Sequence, residues 1–259
     1  MNKIELDFFS IILQSNIRIH ILVPYPNIKN DDATVVWALH PAFKSGTFFY
    51  EEIGLGYFVD SLNICLVCPD LGNNFFIDNK VLDIGQALRN EIYPYVDKII
   101  KSIYSLSFTN KAIGISLGAY GALSWHIHDS TVFDSLYLVS GAYEVSTENT
   151  DERLKSKRSQ KCLFKIVSSI SKKIFEQEKL HDLNLINCIH NIEDKTKKIC
   201  IFCGEEDYLC IKNTQKLYKE LLNNNVSSSL CTSQGEHDVP YWRSVCSLIF
   251  ENMKEQNKK

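Results

Sequence analysis

The stretch that decides the fold is Lys111-Ala112-Ile113-Gly114-Ile115-Ser116-Leu117-Gly118-Ala119-Tyr120-Gly121-Ala122. Its first part is an apolar run typical of a buried strand, and a run compatible with a helix begins near Ala119. Glycines on both sides of Ser116 let backbones pass closely, as a sharp strand-to-helix corner requires. The pattern predicts a nucleophile elbow that presents the Ser116 hydroxyl at the end of a strand. The alternative is a tight turn that uses small residues for packing alone.

Similar apolar or β-branched runs recur along the chain, at 34–39, 63–68, 111–115, 135–139, 198–203 and 227–232. Segments with apolar residues at helical spacing lie between most of them, most clearly at 84–103, 119–128, 213–222 and 239–253. This alternation predicts a mostly parallel central sheet with helices on both faces. Residues 4–13 and 17–23 also alternate, around a polar turn at 14–16, and predict an antiparallel strand pair at the N-terminus.

The length of 259 residues is compatible with one α/β domain over residues 1–259. Residues 147–197 interrupt the strand pattern, and between 151 and 198 they contain neither Gly nor Pro but many Lys and Ser. We interpret them as a helical insertion. They form either a solvated basic face over an ordinary helical layer or a lid over the site.

Charge and hydropathy exclude several function classes. The net charge of −3 gives no basis for nucleic-acid binding. Acidic Glu5 and Asp7 interrupt the first ten residues, so no export signal is visible, and no apolar run approaches the ~20 residues that cross a bilayer. An odd count of nine cysteines suits a reducing compartment. We expect a cytoplasmic protein without nucleic-acid or membrane partners, and a homo-oligomer is left open.

Two Cys-x-x-Cys pairs, Cys65 with Cys68 and Cys200 with Cys203, have the spacing of metal knuckles. Each pair lies inside a predicted buried strand, where residues i and i+3 point to opposite faces and cannot converge on one ion. We therefore interpret these cysteines as small buried hydrophobes, and no metal is expected.

A serine nucleophile needs a histidine base and a carboxylate, which on this kind of sheet follow in the chain order Ser, acid, His. His237 follows the last predicted strand, at the same sheet edge as Ser116, whereas His40 precedes Ser116 and breaks the order. The acid loop after the preceding strand reads Gly204-Glu205-Glu206-Asp207. Its three acids compete for His237, and the shorter side chain favours Asp207 only slightly.

An oxyanion hole needs two backbone N–H donors. Leu117, directly after the nucleophile, supplies one. The other comes from the loop after the third strand, where Pro41 has no N–H and leaves Ala42 or Phe43; we take Ala42. Four residues near these loops are the predicted substrate contacts: His40, Phe43, Tyr120 and Trp242.

Several segments resemble the esterase family of α/β-hydrolases that includes tributyrin esterase, esterase D and S-formylglutathione hydrolase. They are the elbow with its continuation (114–122), Cys68-Pro69-Asp70, Asn74-Phe75-Phe76, Asn90-Glu91-Ile92-Tyr93-Pro94, Gly204-Glu205-Glu206-Asp207-Tyr208-Leu209, and Gly235-Glu236-His237-Asp238-Val239-Pro240-Tyr241-Trp242. The resemblance implies the α/β-hydrolase fold, a Ser116, Asp207 and His237 triad, and hydrolysis of a small-molecule short-chain acyl ester without metal or organic cofactor.

Two positions depart from the family. Pro41 stands where the oxyanion loop normally has glycine after histidine, and Lys44 replaces a second glycine. These departures motivate one alternative, a non-catalytic binding scaffold. Another alternative keeps the triad but acts as an S-formylglutathione-type thioesterase or an acyltransferase.

Overall fold

The computed structural model describes residues 1–25, 33–73, 83–103, 108–144 and 184–256. The strands are β1 Asn2–Ser10, β2 Ser15–Val23, β3 Ala33–Leu39, β4 Ile64–Pro69, β5 Phe108–Ile115, β6 Ser135–Val139, β7 Lys198–Gly204 and β8 Ser228–Ser233. The helices are α1 Phe48–Glu51, α2 Gly56–Leu62, α3 Ile84–Ala87, α4 Tyr93–Ile103, α5 Leu117–His128, α6 Ile211–Asn223 and α7 Val239–Gln256. A π-helical turn, Leu88–Ile92, joins α3 to α4, and a 3₁₀ helix covers Leu185–Asn191.

The eight strands form one mixed sheet in the order β1-β2-β4-β3-β5-β6-β7-β8. Strands β3 to β8 pair in parallel, β1 pairs antiparallel with β2, and β2 pairs antiparallel with β4. The predicted mostly parallel sheet with an antiparallel N-terminal pair is confirmed. The carboxyl ends of β5, β7 and β8 meet at one edge because these strands run in the same direction.

Each face of the sheet is covered by its own hydrophobic core. One core packs α4, α5 and α6 against residues such as Trp37 and Ala112, and the other packs α1, α2 and α7 against Val36 and Ile113. Consecutive strand residues alternate between the two cores because successive side chains point to opposite faces. The same alternation separates the two cysteines of one Cys-x-x-Cys pair. Cys65 points into the first core and Cys68 into the second.

The predicted helix at 84–103 is present, with a π-helical turn in its middle. Pro94 is the second residue of α4, and because the helical turn before it is continuous with α4, a prolyl ring here would clash with the carbonyl four residues earlier in a regular α-helix. The wider π turn directly before it relieves that clash.

The first strand ends earlier than the sequence predicts. We expected strand residues to Leu13 and a turn at 14–16, but β1 ends at Ser10 and the chain turns at 11–14. The Glu91 carboxylate is the physical reason, because it accepts hydrogen bonds from the Ser10 hydroxyl and from the backbone N–H groups of Ile11 and Ile12.

The predicted insertion at 147–197 falls largely outside the described residues. Its described end contains the 3₁₀ helix Leu185–Asn191, which contacts α5 and α6. Within the described part of the chain, no helix combines the length and the apolar character that a membrane crossing needs.

Replacing Glu91 by Ala should lower the free energy of unfolding by about 1–3 kcal/mol, because the turn loses the acceptor for three donors, one of them on buried Ser10. Urea unfolding of the two proteins measures this difference. Glu251→Ala, at an exposed position on α7, is the matched control and should change stability by less than about 0.5 kcal/mol. Equal losses in both variants would contradict the role of Glu91.

His126 makes stability depend on pH. The ring is fully buried in α5 and neither nitrogen has a hydrogen-bond partner among the described residues. Burial lowers the pKa of His126 from 6.5 to about 4. The unfolded chain therefore binds a proton more readily, so stability present above pH 6.5 is lost as pH falls toward 4, by roughly 3 kcal/mol in total. The urea midpoint of wild type should fall relative to that of His126→Leu as pH falls through this window; parallel profiles would contradict the assignment.

Candidate active site

Ser116 lies at the corner between β5 and α5 in a strained backbone conformation, with φ 54° and ψ −111°. Its N–H donates to the Val139 carbonyl at 2.8 Å, which ties the corner to β6. A side chain at Gly118 would overlap the Leu39 carbonyl, so β3 and the first turn of α5 approach to backbone contact. The glycine of the predicted elbow is required by this approach.

The loops after β7 and β8 are fastened to one another. Glu206 N–H donates to the Gly235 carbonyl at 3.0 Å, and Gly235 N–H donates to the Glu206 carboxylate at 2.6 Å. A side chain at Gly204 would overlap the same Gly235 carbonyl. The acid loop therefore fixes the backbone that carries His237.

Ser116, His237 and Asp207 form a hydrogen-bonded chain. Ser116 Oγ lies 3.0 Å from His237 Nε2, and His237 Nδ1 lies 2.8 Å from Asp207 Oδ2. A carboxylate only accepts, so the Nδ1 nitrogen carries the ring proton and Nε2 is left to accept from the serine hydroxyl. Asp207 is completely buried and His237 is 8% exposed, whereas Ser116 is partly exposed.

The geometry distinguishes the three competing acids. Glu205 is exposed, and the Glu206 carboxylate is bonded to the Gly235 backbone. The Asp207 carboxylate contacts His237 and also accepts from Cys210 N–H at 3.1 Å. Asp207 is thus the acid that orients the imidazole.

The oxyanion donors predicted from the sequence lie around the same corner. Leu117 begins α5, where the first four N–H groups of a helix have no intrahelical acceptor. Phe43, with φ 63°, donates its N–H to Asn73 Oδ1 at 2.5 Å. That bond occupies the Phe43 donor and favours Ala42 as the second one.

His40 lies inside the loop that carries Ala42. It is fully buried, its Nδ1–H donates to the Pro41 carbonyl at 2.9 Å, and its Nε2 accepts from Leu71 N–H at 3.2 Å. Burial lowers the pKa of His40, which keeps the ring in this neutral bonded form. His40 therefore ties the loop after β3 to the loop after β4.

Three of the four predicted substrate contacts have little exposed surface in the structure. His40 is buried within its loop, Tyr120 is 3% exposed in the core around α5, and Trp242 is 6% exposed beneath the His237 ring. Trp242 meets that ring edge to face, with centroids 5.0 Å apart, so it supports the imidazole from below. Only Phe43, 45% exposed, has a side chain open to a ligand.

Two thiols that the sequence did not predict as site residues lie beside Asp207 and His237. Cys203 Sγ–H donates to Asp207 Oδ2 at 3.8 Å, and Cys210 Sγ lies 3.7 Å from His237 Nδ1. In the described residues, Asp207, Cys210 and His237 are the group whose ligand atoms lie close enough to hold a metal, all within 4.8 Å of one another. The close sequence spacing of Asp207 and Cys210 was the only available signal.

Comparison with known proteins rests on structure. No protein-family model and no curated sequence matches the chain. Solved structures do match: a ferulic acid esterase has a TM-score of 0.74 at 17% identity and covers 98% of this chain and 97% of its own. The α/β-hydrolase fold is established. A fluorophosphonate-binding serine hydrolase of Staphylococcus aureus (TM-score 0.73, 16% identity, 98% of both chains) and an S-formylglutathione hydrolase of Agrobacterium tumefaciens (0.75, 13%, 98% and 94%) share it.

Because the sequence identities in these matches are low, the matches show the fold alone. Within the α/β-hydrolase fold, the loops after β5, β7 and β8 of this chain converge on Ser116, Asp207 and His237. The expected fold is therefore confirmed over nearly the whole chain. The chemistry has to be argued from the site itself.

The hydrogen bond from His237 Nδ1–H to the buried Asp207 carboxylate should give a proton resonance downfield of the backbone amides, because a charged acceptor deshields the proton. We expect this signal in wild type and in Ser116→Ala, and expect it to disappear in the isosteric Asp207→Asn variant. One-dimensional proton NMR tests this, with circular dichroism as the control for folding. A signal retained by folded Asp207→Asn would contradict the pairing.

Proposed function

We propose that this protein is a serine carboxylesterase that hydrolyses short-chain acyl esters through an acyl-enzyme. The observation that carries the proposal is the continuous chain from Ser116 Oγ through the His237 ring to the Asp207 carboxylate, with contacts of 3.0 and 2.8 Å. The partly exposed serine at one end and the buried carboxylate at the other fit attack on a substrate that enters from solvent.

In the first half-reaction, Ser116 Oγ attacks the ester carbonyl while His237 Nε2 takes the hydroxyl proton. The imidazolium that forms is stabilised by the adjacent Asp207 carboxylate, whose Coulomb interaction is strengthened because water is excluded around it. His237 then gives the proton to the departing alcohol. In the second half-reaction, a water molecule activated by the same nitrogen releases the carboxylic acid and restores Ser116.

The tetrahedral intermediates carry a negative oxygen, which the N–H groups of Leu117 and Ala42 stabilise. Leu117 also contributes the positive end of the α5 dipole. The loss of one such donor typically slows turnover by about 10²–10³-fold, so the position of the loop after β3 matters. His40 acts as a positioning residue that holds this loop through Pro41.

The small-molecule ester remains the proposed substrate class, and Phe43 is the side chain that we propose for contact with its acyl or alcohol group. The ferulic acid esterase and S-formylglutathione hydrolase that share the fold act on an ester and a thioester by name. The single domain over residues 1–259 with its insertion, and the cytoplasmic location, stay predictions.

Ser116→Ala should lower p-nitrophenyl acetate and butyrate hydrolysis by roughly 10⁴-fold or more, because among the described residues Ser116 provides the hydroxyl that is hydrogen-bonded to His237. Ser61→Ala, at an exposed position on α2, is the matched control and should keep the wild-type rate. Stopped or continuous absorbance assays measure both.

Two further measurements separate the alternatives. A fluorophosphonate probe should label wild type and spare Ser116→Ala; failure to label folded wild type would support a binding scaffold. S-formylglutathione hydrolysis faster than oxyester hydrolysis would assign the thioesterase reaction, and acyl transfer to an added alcohol would assign an acyltransferase. Equal ester hydrolysis by wild type and Ser116→Ala would reject the triad.

A further inference from the structure

Three buried side chains with different metal-binding atoms meet on the side of His237 that faces away from Ser116. Cys210 lies directly before α6, and its Sγ is 3.7 Å from His237 Nδ1, the nitrogen that Asp207 also contacts. The carboxylate, thiol and imidazole ligand atoms all lie within 4.8 Å of one another, and each residue is more than nine-tenths buried. The triad uses the acid and the base but gives the thiol no role.

We propose that Asp207, Cys210 and His237 form a binding site for one thiophilic divalent cation, of the Zn²⁺ or Cd²⁺ class, and that its binding inhibits hydrolysis. The inhibitory part rests on the proposed esterase function, whereas the binding part stands without it.

Two of the three separations between ligand atoms are close to those of a zinc site, and the third, from thiol to carboxylate, is at most 4.8 Å. Zinc bonds of about 2.0–2.3 Å at tetrahedral angles place ligand atoms roughly 3.3–3.6 Å apart. The thiol-to-imidazole separation of 3.7 Å already fits, and the imidazole-to-carboxylate separation of 2.8 Å must open by about half an ångström. Side-chain rotations supply changes of this size, and three protein ligands leave the fourth position to water.

Charge also favours a dication here. The Asp207 carboxylate is fully buried. The His237 ring donates to it through Nδ1–H and accepts the Ser116 hydroxyl at Nε2, so the ring in this arrangement is neutral. The site without metal therefore carries one negative charge. When the cation binds, the Nδ1 proton passes through solvent to Nε2 and the Cys210 thiol loses its proton to water. One proton is released overall, and carboxylate, thiolate and dication sum to zero charge, which lowers the cost of burial.

Inhibition follows from the change of tautomer. With the cation on Nδ1, the ring proton sits on Nε2, and Nε2 can no longer take the proton of Ser116. The cation also replaces the hydrogen bond through which Asp207 orients the ring. Mg²⁺ should have no such effect, because it prefers all-oxygen octahedral coordination and binds thiolate and imidazole poorly.

The binding test uses Ser116→Ala, which keeps all three ligands and cannot turn over ester. Cd²⁺ is titrated into this protein and the ultraviolet sulfur-to-cadmium charge-transfer band is recorded. The exposed thiol of Cys231 on β8 is an adventitious site, so Cys231→Ala is combined with Ser116→Ala as the matched background. In that background we expect the charge-transfer absorbance to saturate at one equivalent of Cd²⁺. We expect the absorbance to be lost when Cys210→Ala is added.

The inhibition test uses wild type, Cys231→Ala and Cys210→Ala after preincubation with Zn²⁺ until the rate is constant, each rate being divided by that variant's own metal-free rate. Wild type and Cys231→Ala should be inhibited and recover with EDTA. Mutation of residues that only support a metal ligand typically lowers metal affinity by about 10–100-fold. Loss of the thiol ligand itself should therefore raise the half-inhibiting Zn²⁺ concentration by at least about 100-fold. Mg²⁺ at the same concentration is the control cation.

The outcomes are distinguishable. A charge-transfer band or Zn²⁺ inhibition that Cys210→Ala leaves unchanged overturns the proposed site. Cys210→Ser, which is nearly isosteric, replaces Cys210→Ala if the latter does not fold, and the same persistence in it would also overturn the site. A Cys210-dependent band in a protein that hydrolyses no ester would retain the metal site and reject the esterase.

Discussion

The buried contact between the His237 ring and the Asp207 carboxylate is the interaction on which the rest of the site depends. A carboxylate removed from water is costly unless charged or hydrogen-bonding partners compensate it. Asp207 is compensated by the Nδ1–H of His237, by Cys210 N–H and by the Cys203 thiol. The first of these bonds also fixes the tautomer, and so leaves Nε2 as the acceptor that Ser116 meets.

That contact requires loops that are far apart in sequence to hold a common geometry, and backbone bonds provide it. Reciprocal bonds between Glu206 and Gly235 join the acid loop to the base loop, while Ser116 N–H joins the elbow to β6. Ser116 itself has a positive φ, a conformation that a residue with a side chain adopts only when its surroundings enforce it. The close approach at Gly118 is part of that enforcement, since it presses the start of α5 against β3.

The fold could be predicted largely from the sequence because its signals are local. Apolar or β-branched runs mark β3 to β7, and small residues around Ser116 mark the elbow. The end of β1 was mispredicted because the carboxylate that turns the chain there, Glu91, lies about 80 residues away. Periodicity cannot detect an acceptor at that distance.

The sequence also predicted part of the candidate site, and it failed where the direction of a side chain decides the outcome. Chain order selects Ser116 and His237, but the choice of Asp207 over Glu206 depends on which carboxylate the loop turns inward, and the residues alone favoured it only slightly. The burial of three of the predicted substrate contacts could not be predicted, for a related reason. Proximity in sequence to a catalytic loop does not say on which side of the loop a ring lies, and Trp242 lies beneath His237.

Burial of the acid has two opposed chemical consequences at this site. Excluding water strengthens the interaction of Asp207 with an imidazolium, which in the proposed esterase mechanism assists proton transfer at Ser116. The same dry pocket holds a thiol against the nitrogen that must keep its proton. At the proposed metal site, a soft dication would balance the buried charge in place of that proton and would also bind the thiol. Asp207 is therefore shared by the two proposals: it would orient His237 as a base, and it would also hold a cation on Nδ1, where the Cys210 thiol would select thiophilic metals.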